Sequence, residues 1–217
     1  MRHYDAVIFD LDGTLLDTSE GIFRSVGYVI DRLGLPMPSE QVMRSFIGPP
    51  IQRSFMRVFG FTKEQGDEAA NMFRDRYKDD DILHARPYDG IFETIGKLKE
   101  GGVKCAVATY KRQDYAEKIL IHFGFDRICD RICGSDFEGK LSKRDIIENA
   151  IRYMGVTDYL RAVMVGDSDN DAEGAGEIKV PFIGVTYGFG FAGADDVNCF
   201  ANIGIASTPA DIAGIVL

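Results

Sequence analysis

Four aspartates stand at or just beyond the ends of two short apolar runs of the sequence. Asp10 and Asp12 follow the first run, and Asp167 and Asp171 follow a later one. Carboxylates that are pressed together repel one another and resist ionisation unless a cation balances their charge. Mg²⁺ prefers hard oxygen ligands and usually binds through one or two carboxylates, water and a substrate phosphate. The four aspartates therefore predict a magnesium site that orients a phosphoryl group.

A carboxylate in such a site is also able to attack phosphorus and form an aspartyl-phosphate. Asp10 and Asp12 would point in different directions on a regular strand, but a break at Gly13 would bring both into one site. One carboxylate could then attack while the other protonates the leaving oxygen. Thr109 offers a hydroxyl group and Lys143 a positive charge, and both would stabilise the transferring phosphoryl group.

Short apolar runs predict the strands that position these residues. The runs are nearly continuous rather than alternating, which is typical of parallel strands covered on both faces. They are Ala6–Phe9, Val103–Ala108, Ala162–Val165 and Val180–Val185. Apolar stripes at helical spacing lie between them, and strands that alternate with helices indicate a doubly wound, Rossmann-like α/β sheet. We therefore predict a parallel-sheet core that comprises residues 1–15 and 86–217.

The segment between residues 16 and 85 interrupts this alternation, because it shows helical periodicity and helix breakers but no convincing strand. Its predicted helices are one through Ile22 and Leu33, one over Ser39–Phe46, one that begins at Pro50, and one that opens with a capping box over Thr62–Gln65. Four helices inserted after the first strand predict a separate α-helical cap domain.

The carboxyl ends of parallel strands are where ligands bind in an open α/β sheet. Asp10 and Asp12 end the first predicted strand, Thr109 ends the second, and Asp167 ends the third. Lys143 opens a predicted helix, at the end where an anion is favoured. Five groups suited to phosphate and metal thus converge on one edge of the predicted sheet.

These residues resemble the motifs of the haloacid dehalogenase-like hydrolase superfamily, in family order over essentially the whole chain. Asp10–Thr14 is similar to the first motif, Val107–Thr109 to the second, Lys143 to the third and Gly166–Asp171 to the fourth. The helical insertion matches the cap that the family places between its first two motifs. Within it, Phe46–Pro50 resembles the phosphoglycolate phosphatase-like subgroup.

The resemblance implies a role for each aspartate and a Mg²⁺ cofactor. Asp10 would be the nucleophile and a metal ligand. Asp12 would be the general acid and base, and would give the metal its backbone carbonyl. Asp167 would be the other direct metal ligand, and Asp171 would support the metal through a water molecule or through another ligand.

Two positions depart from the family pattern. Many relatives carry Lys-Pro at the third motif, whereas this chain has Lys140 and Lys143 within a Lys-Leu-Ser-Lys segment. Lys143 is preferred as the partner of Thr109 in phosphate binding because it begins a helix, and Lys140 remains the alternative. Tyr110 stands where Asn or Ser is usual, which predicts altered contacts to the leaving group.

Three further basic residues are candidates near the site. Arg53 follows the Gly-Pro-Pro turn of the insertion, and either a substrate contact or a solvated surface arginine fits that position. Lys111 and Arg112 follow Thr109 and would add positive potential at the mouth of the site.

The segment Gly188–Gly193 matches the pattern G-x-G-x-x-G of dinucleotide-binding loops. However, no amphipathic helix follows it at once, and too little chain remains to complete a βαβ unit. The pattern therefore does not favour a dinucleotide site.

Composition limits the class of protein and its partners. Hydrophobic residues make up 45% of the chain, which is typical of a globular protein, and the net charge of −9 disfavours nucleic acid and anionic membranes as partners. The apolar run before Asp10 is too short for the core of a signal peptide. We expect a cytoplasmic protein, either a monomer or a homodimer, whose partner is a small phosphorylated metabolite.

The expected function is Mg²⁺-dependent hydrolysis of a small phosphomonoester, of the phosphoglycolate or sugar-phosphate type, through an aspartyl-phosphate. A phosphomutase of the β-phosphoglucomutase type shares the same core motifs and is the first alternative. A binding protein that retains the fold without activity is the second. Fold-level resemblance does not name the substrate.

Overall fold

The computed structural model describes residues 4–217, and their contacts separate two units. One unit contains the described residues up to Leu16 together with Pro87–Leu217, and the other is Asp17–Arg86. Each boundary lies one residue beyond the predicted one. The two linking segments, Leu16–Asp17 and Arg86–Pro87, pair with each other as a short two-stranded sheet.

The main sheet has six parallel strands and belongs to the first unit. In chain order the strands of the protein are β1 (Ala6–Phe9), β2 (Leu16–Asp17), β3 (Arg86–Pro87), β4 (Lys104–Arg112), β5 (Arg131–Ser135), β6 (Ala162–Gly166), β7 (Phe182–Val185) and β8 (Gly204–Ala206). Their order across the sheet is β5-β4-β1-β6-β7-β8. Phe9 lies opposite Val107 on one side and Val165 on the other, so these three strands reach the same edge together.

The four predicted strands are present, and the α/β fold class is confirmed. The prediction missed the two-residue strands β2 and β3. It also missed β5 and β8, because both lie at the edges of the main sheet, where a strand is covered less and its sequence need not be continuously apolar. The predicted end of β4 at Ala108 is wrong. The strand continues to Arg112 through an irregular register, so Thr109 lies within the strand and not at its end.

Five helices of the first unit pack against strands of this sheet. In chain order the helices of the protein are α1 (Ser19–Arg32), α2 (Glu40–Arg44), α3 (Ile51–Phe59), α4 (Lys63–Tyr77), α5 (Ile91–Glu100), α6 (Gln113–His122), α7 (Lys143–Tyr153), α8 (Asp169–Glu177), α9 (Ala194–Val197) and α10 (Pro209–Val216). The five that pack against the sheet are α5, α6, α7, α8 and α10. Ile8 and Met164 share one buried cluster with Ile147 of α7 and Ala172 of α8. None of the helices in residues 4–217 is both long and apolar enough to span a membrane.

The second unit contains α1 to α4, as predicted, with shifted helix ends. Thr62 and Gln65 form the capping box that begins α4. Ser39 caps α2, which ends at Arg44 and not at Phe46. Pro50 is the residue before α3, whereas the sequence placed it at the first helical position.

A buried carboxylate holds α1 and α4 of this unit together. Asp81 is fully buried and accepts hydrogen bonds from Ser25 Oγ and Arg76 Nε, each at 2.9 Å. Arg24 Nε lies 3.3 Å from the same carboxylate. Asp81 also lies near Asp80 and His84, so these three side chains could surround a cation. Because the two arginines already balance the charge of Asp81, the cluster is explained as a structural ion network.

Candidate active site

The first motif leaves the sheet at the end of β1 and turns back sharply. Asp10 continues the hydrogen bonding between β1 and β6, since its N–H donates to the carbonyl of Val165 at 2.9 Å. Gly13 has a φ of +86°, a left-handed conformation that glycine adopts at little cost. Its N–H donates to Leu16 O at 2.9 Å and closes the turn. Asp10 and Asp12 are consequently both buried in this region, where the sequence predicted the break.

Lys143 is the first residue of α7 and is held there by a capping box between Ser142 and Asp145. Its Nζ lies 2.5 Å from Asp10 Oδ1 and 2.7 Å from Asp171 Oδ1. Burial alone would lower the pKa of Lys143, but the two carboxylates outweigh it and raise the pKa above the ordinary value. Lys143 is therefore a permanently charged group between two of the predicted site carboxylates.

The acidic cluster carries more negative charge than its surroundings balance. Burial raises the pKa of Asp10 well above its usual range, against the attraction of Lys143, and Asp171, Asp12 and Asp167 raise it further. Burial and Asp171 raise the pKa of Asp167 to about 7.

The donor set of this cluster suits a divalent cation. Asp10, Asp167 and Asp171 each offer an oxygen within 4.8 Å of the others. Mg²⁺ prefers hard oxygen ligands, and its charge would stabilise the ionised form of these buried carboxylates. By the resemblance to the family motifs, Asp10, the Asp12 carbonyl and Asp167 would hold it.

Asp171 has two partners within the protein. Its Oδ2 accepts hydrogen bonds from Ser168 N at 3.2 Å and from Ser168 Oγ at 2.7 Å, which makes it the capping-box residue of α8. Its Oδ1 faces Lys143. Asp171 therefore orients the lysine, and its predicted indirect support of the metal stays a prediction.

The extended part of β4 supplies two neighbouring groups. Thr109 is buried, and its Oγ1 accepts a hydrogen bond from Lys111 N at 3.1 Å. The Lys111 side chain is only 7% exposed, and its Nζ lies 3.1 Å from Asp12 Oδ1. The sequence placed Lys111 only at the mouth of the site and missed this ion pair. Its spacing of two from Thr109, which puts both side chains on one face of a strand, is the signal that could have found it.

Tyr110 contacts the third motif. Its hydroxyl accepts a hydrogen bond from Lys143 N at 3.0 Å, and the Lys143 ammonium lies 5.8 Å from the centre of its ring. An otherwise unpaired N–H of the first helical turn is thereby satisfied. The unusual residue at this position thus binds the start of α7, while its predicted contact to a leaving group stays a prediction.

The remaining basic candidates lie elsewhere. Lys140 is 75% exposed and pairs with Glu138, so Lys143 and not Lys140 is the lysine beside Asp10. Arg53 is an exposed residue in the first turn of α3, in the second unit. Its predicted contact with substrate therefore stays a prediction.

Comparisons with known proteins identify the family of this chain. The family model described as haloacid dehalogenase-like hydrolase matches residues 7–185. A 5'-nucleotidase of Pseudomonas aeruginosa is 39% identical over 190 residues, which cover 86% of this chain and 85% of that protein. A phosphoglycolate phosphatase of Agrobacterium fabrum is 33% identical, over 84% of this chain and 80% of the relative.

Structural similarity extends over the whole length. A haloacid dehalogenase-like family hydrolase from Streptococcus pneumoniae superposes with a TM-score of 0.91 at 29% identity, and the match covers 100% of both chains. The resemblance noted in the motifs is therefore confirmed by sequence and by fold. The chain belongs to the haloacid dehalogenase-like hydrolase family and is a phosphatase.

Proposed function

We propose that the protein hydrolyses the phosphomonoester of a small metabolite, with Mg²⁺, through an aspartyl-phosphate on Asp10. The observation that carries the proposal is the position of Asp10 at the carboxyl edge of the sheet, 2.5 Å from the buried ammonium of Lys143 and beside two further buried aspartates. Mg²⁺, when bound, would balance the carboxylates and the charge of the phosphoryl oxygens.

The first half of the reaction transfers the phosphoryl group to the protein. An oxygen of Asp10 attacks phosphorus, the bond from phosphorus to the ester oxygen breaks, and Asp12 gives a proton to the departing alcohol. Lys143 and the Thr109 hydroxyl stabilise the negative charge of the group in transfer. Lys111, 3.1 Å from Asp12 Oδ1, holds the acid in position.

The second half returns the protein to its starting state. Asp12, now ionised, takes a proton from water as that water attacks the phosphorus of the aspartyl-phosphate. The bond to Asp10 breaks, and inorganic phosphate leaves. Asp12 regains its proton in this step, so the two halves balance.

The relatives support a small substrate. A 5'-nucleotidase and a phosphoglycolate phosphatase are named for different molecules, but both names describe a phosphate ester on a small organic group. We include nucleoside 5'-monophosphates, phosphoglycolate and sugar phosphates in the substrate class. The inserted helical unit, with Arg53, is proposed to choose among them.

The test compares wild type with Asp10→Asn on a panel of these esters, with Mg²⁺ and with chelator. We expect metal-dependent phosphate release by wild type and its loss in Asp10→Asn, because an amide oxygen is a poor nucleophile. Equal release by both proteins would reject Asp10 as the nucleophile. Transfer of phosphate to an added sugar phosphate instead of water would identify the mutase alternative. Failure of wild type to react with any ester would favour the non-catalytic alternative.

A further inference from the structure

The glycine-rich segment that resembles a dinucleotide loop lies against Asp167. The stretch 187–191, called the glycine loop below, follows β7. Phe189 N donates a hydrogen bond to Asp167 Oδ2 at 2.7 Å, and Gly190 N donates to the same oxygen at 3.1 Å. Phe191 N donates to the backbone carbonyl of Asp167 at 2.7 Å. Three successive amides of the loop thus bind one aspartate.

Glycine is required for this approach. A Cβ atom on Gly188 would lie 2.4 Å from Asp167 Oδ2 and 2.4 Å from the carbonyl of Gly13. A Cβ atom on Gly190 would lie 2.4 Å from the Asp167 carbonyl. Distances below about 3 Å are not tolerated between such atoms, so any side chain here would displace Asp167 or the loop.

The loop is also tied to the first motif. Tyr187 is mostly buried, and its hydroxyl donates to the carbonyl of Thr14 at 3.1 Å. Its ring packs edge-on against Tyr88, with 4.8 Å between ring centres. The turn that carries Gly13 and Asp12 therefore has a fixed position relative to the loop that binds Asp167.

We propose that the glycine loop is a positioning element for the metal site. By binding Oδ2 of Asp167 with two backbone amides, it turns the other oxygen, Oδ1, towards the cation and makes Asp167 a ligand through a single oxygen. The proposal rests on the proposed magnesium chemistry. It also explains the G-x-G pattern without dinucleotide binding, because the glycines leave room for the Asp167 carboxylate of the same chain to approach the loop.

Backbone amides cannot be deleted, so the test adds a methyl group where the loop has no room. Gly188→Ala should displace the Asp167 carboxylate. Gly193→Ala is the matched control, because a Cβ atom there meets nothing within 4 Å and the backbone is extended. Loss of the partners that orient a metal ligand typically weakens metal binding by about 10- to 100-fold. We expect that loss for Gly188→Ala and wild-type affinity for Gly193→Ala.

The primary measurement is Mg²⁺ binding by isothermal titration calorimetry, with no substrate present, alongside circular dichroism to verify folding. Wild-type affinity in folded Gly188→Ala would overturn the proposal. If wild type itself binds no Mg²⁺, the proposed function fails instead, so the two failures are distinguishable.

A milder variant covers the case in which Gly188→Ala does not fold. Tyr187→Phe keeps the ring against Tyr88 and removes only the hydrogen bond to Thr14. We expect Mg²⁺ binding about fivefold weaker, the effect of one ordinary hydrogen bond. Unchanged binding in Tyr187→Phe, together with an unfolded Gly188→Ala protein, would also overturn the proposal.

Discussion

Lys143 shows how strongly one residue depends on its partners in this site. Its ammonium group is buried between Asp10 and Asp171, at 2.5 and 2.7 Å. A buried charge is tolerated only when it is paired, and removal of one partner leaves the others uncompensated. The lysine therefore has two separable effects, one on the reaction and one on the folded state.

Lys143→Met is predicted to affect both. We expect kcat to fall by about 10²-fold or more, because a donor to the transferring group is lost. The free energy of unfolding at pH 8, in chelator, should fall by about 3–5 kcal/mol, because two buried carboxylates lose their counter-charge. Urea unfolding and steady-state kinetics measure the two effects. Lys140→Met is the control, since an exposed lysine should change stability by no more than about 0.5 kcal/mol. Equal effects in both variants would contradict the assignment of Lys143.

Asp10 and Asp167 make stability depend on pH. In the folded protein, burial raises the pKa of Asp10 and raises the pKa of Asp167 to about 7. In the unfolded chain, both groups have a pKa of about 3.9. Between these values the folded state binds more protons than the unfolded state. The contribution of these two groups to stability is therefore greatest at low pH, and that of Asp167 is lost as pH rises through about 7.

Chemical unfolding in chelator should accordingly show a lower free energy of unfolding at pH 7.5 than at pH 5. The same measurement on Asp167→Asn gives the pH dependence that comes from the other titrating groups. That variant cannot ionise at residue 167, so its decline over the same range should be smaller. Added Mg²⁺ should restore stability mainly at the higher pH, because the metal binds the ionised carboxylates. An equal decline in both proteins would refute the role of Asp167.

At the scale of elements, the second unit depends on a single buried carboxylate that links α1 with α4. Asp81 binds Ser25 of α1 and Arg76 of α4, and Arg24 of α1 lies beside it. The arginines are partly exposed, so water can solvate them when the carboxylate is removed. The interaction is consequently strong but not as costly to break as a fully buried pair.

Asp81→Asn is predicted to lower the free energy of unfolding by about 2 kcal/mol, the value of hydrogen bonds to a charged group. The amide keeps the size of the side chain, so the loss reports charge and not packing. Asp80→Asn is the matched control, because Asp80 is exposed and its pair with His84 lies at the surface. Thermal unfolding of both variants measures the difference. A loss in Asp80→Asn as large as that in Asp81→Asn would contradict the prediction.

At the scale of the whole molecule, the proposed catalytic residues and the helical insertion lie in different parts of the chain. All the acidic residues proposed to hold the metal, together with Lys143 and Thr109, belong to the sheet-containing unit. The chain enters the helical unit through β2 and returns through β3, and these two strands pair. The ends of the insertion are therefore adjacent, as is usual where insertions are tolerated.

Replacement of residues 17–86 by a short Gly-Ser linker tests this division. We expect the shortened protein to keep its α/β circular dichroism and to bind Mg²⁺ with an affinity close to that of the full chain. Its preference among phosphate esters should be lost, because the proposed selecting unit is absent. Calorimetry and the ratios of kcat/KM over the panel give the two readouts. A folded core that binds no Mg²⁺ would show that the insertion contributes to the metal site.

Local patterns in the sequence determined the fold class and the set of reactive residue types. Parallel strands covered on both faces are apolar throughout, and amphipathic helices have apolar residues every three or four positions. Both patterns can therefore be recognised in short segments of sequence. The helix signal at Thr62, the turn at Gly13 and the acidic residues that follow β1 and β6 are likewise local. These features place the candidate residues on one edge of a sheet before any coordinates are known.

Tertiary structure alone decided which of those residues touch. The pair of Lys111 with Asp12, the contact of Lys143 with Asp10, and the binding of Asp167 by the glycine loop join segments far apart in the chain. Such contacts depend on strand register and on the direction of each side chain, and no short window of sequence contains either. The edge strands β5 and β8 were decided in the same way, because it is pairing with a neighbouring strand, and not continuous apolarity, that makes them strands.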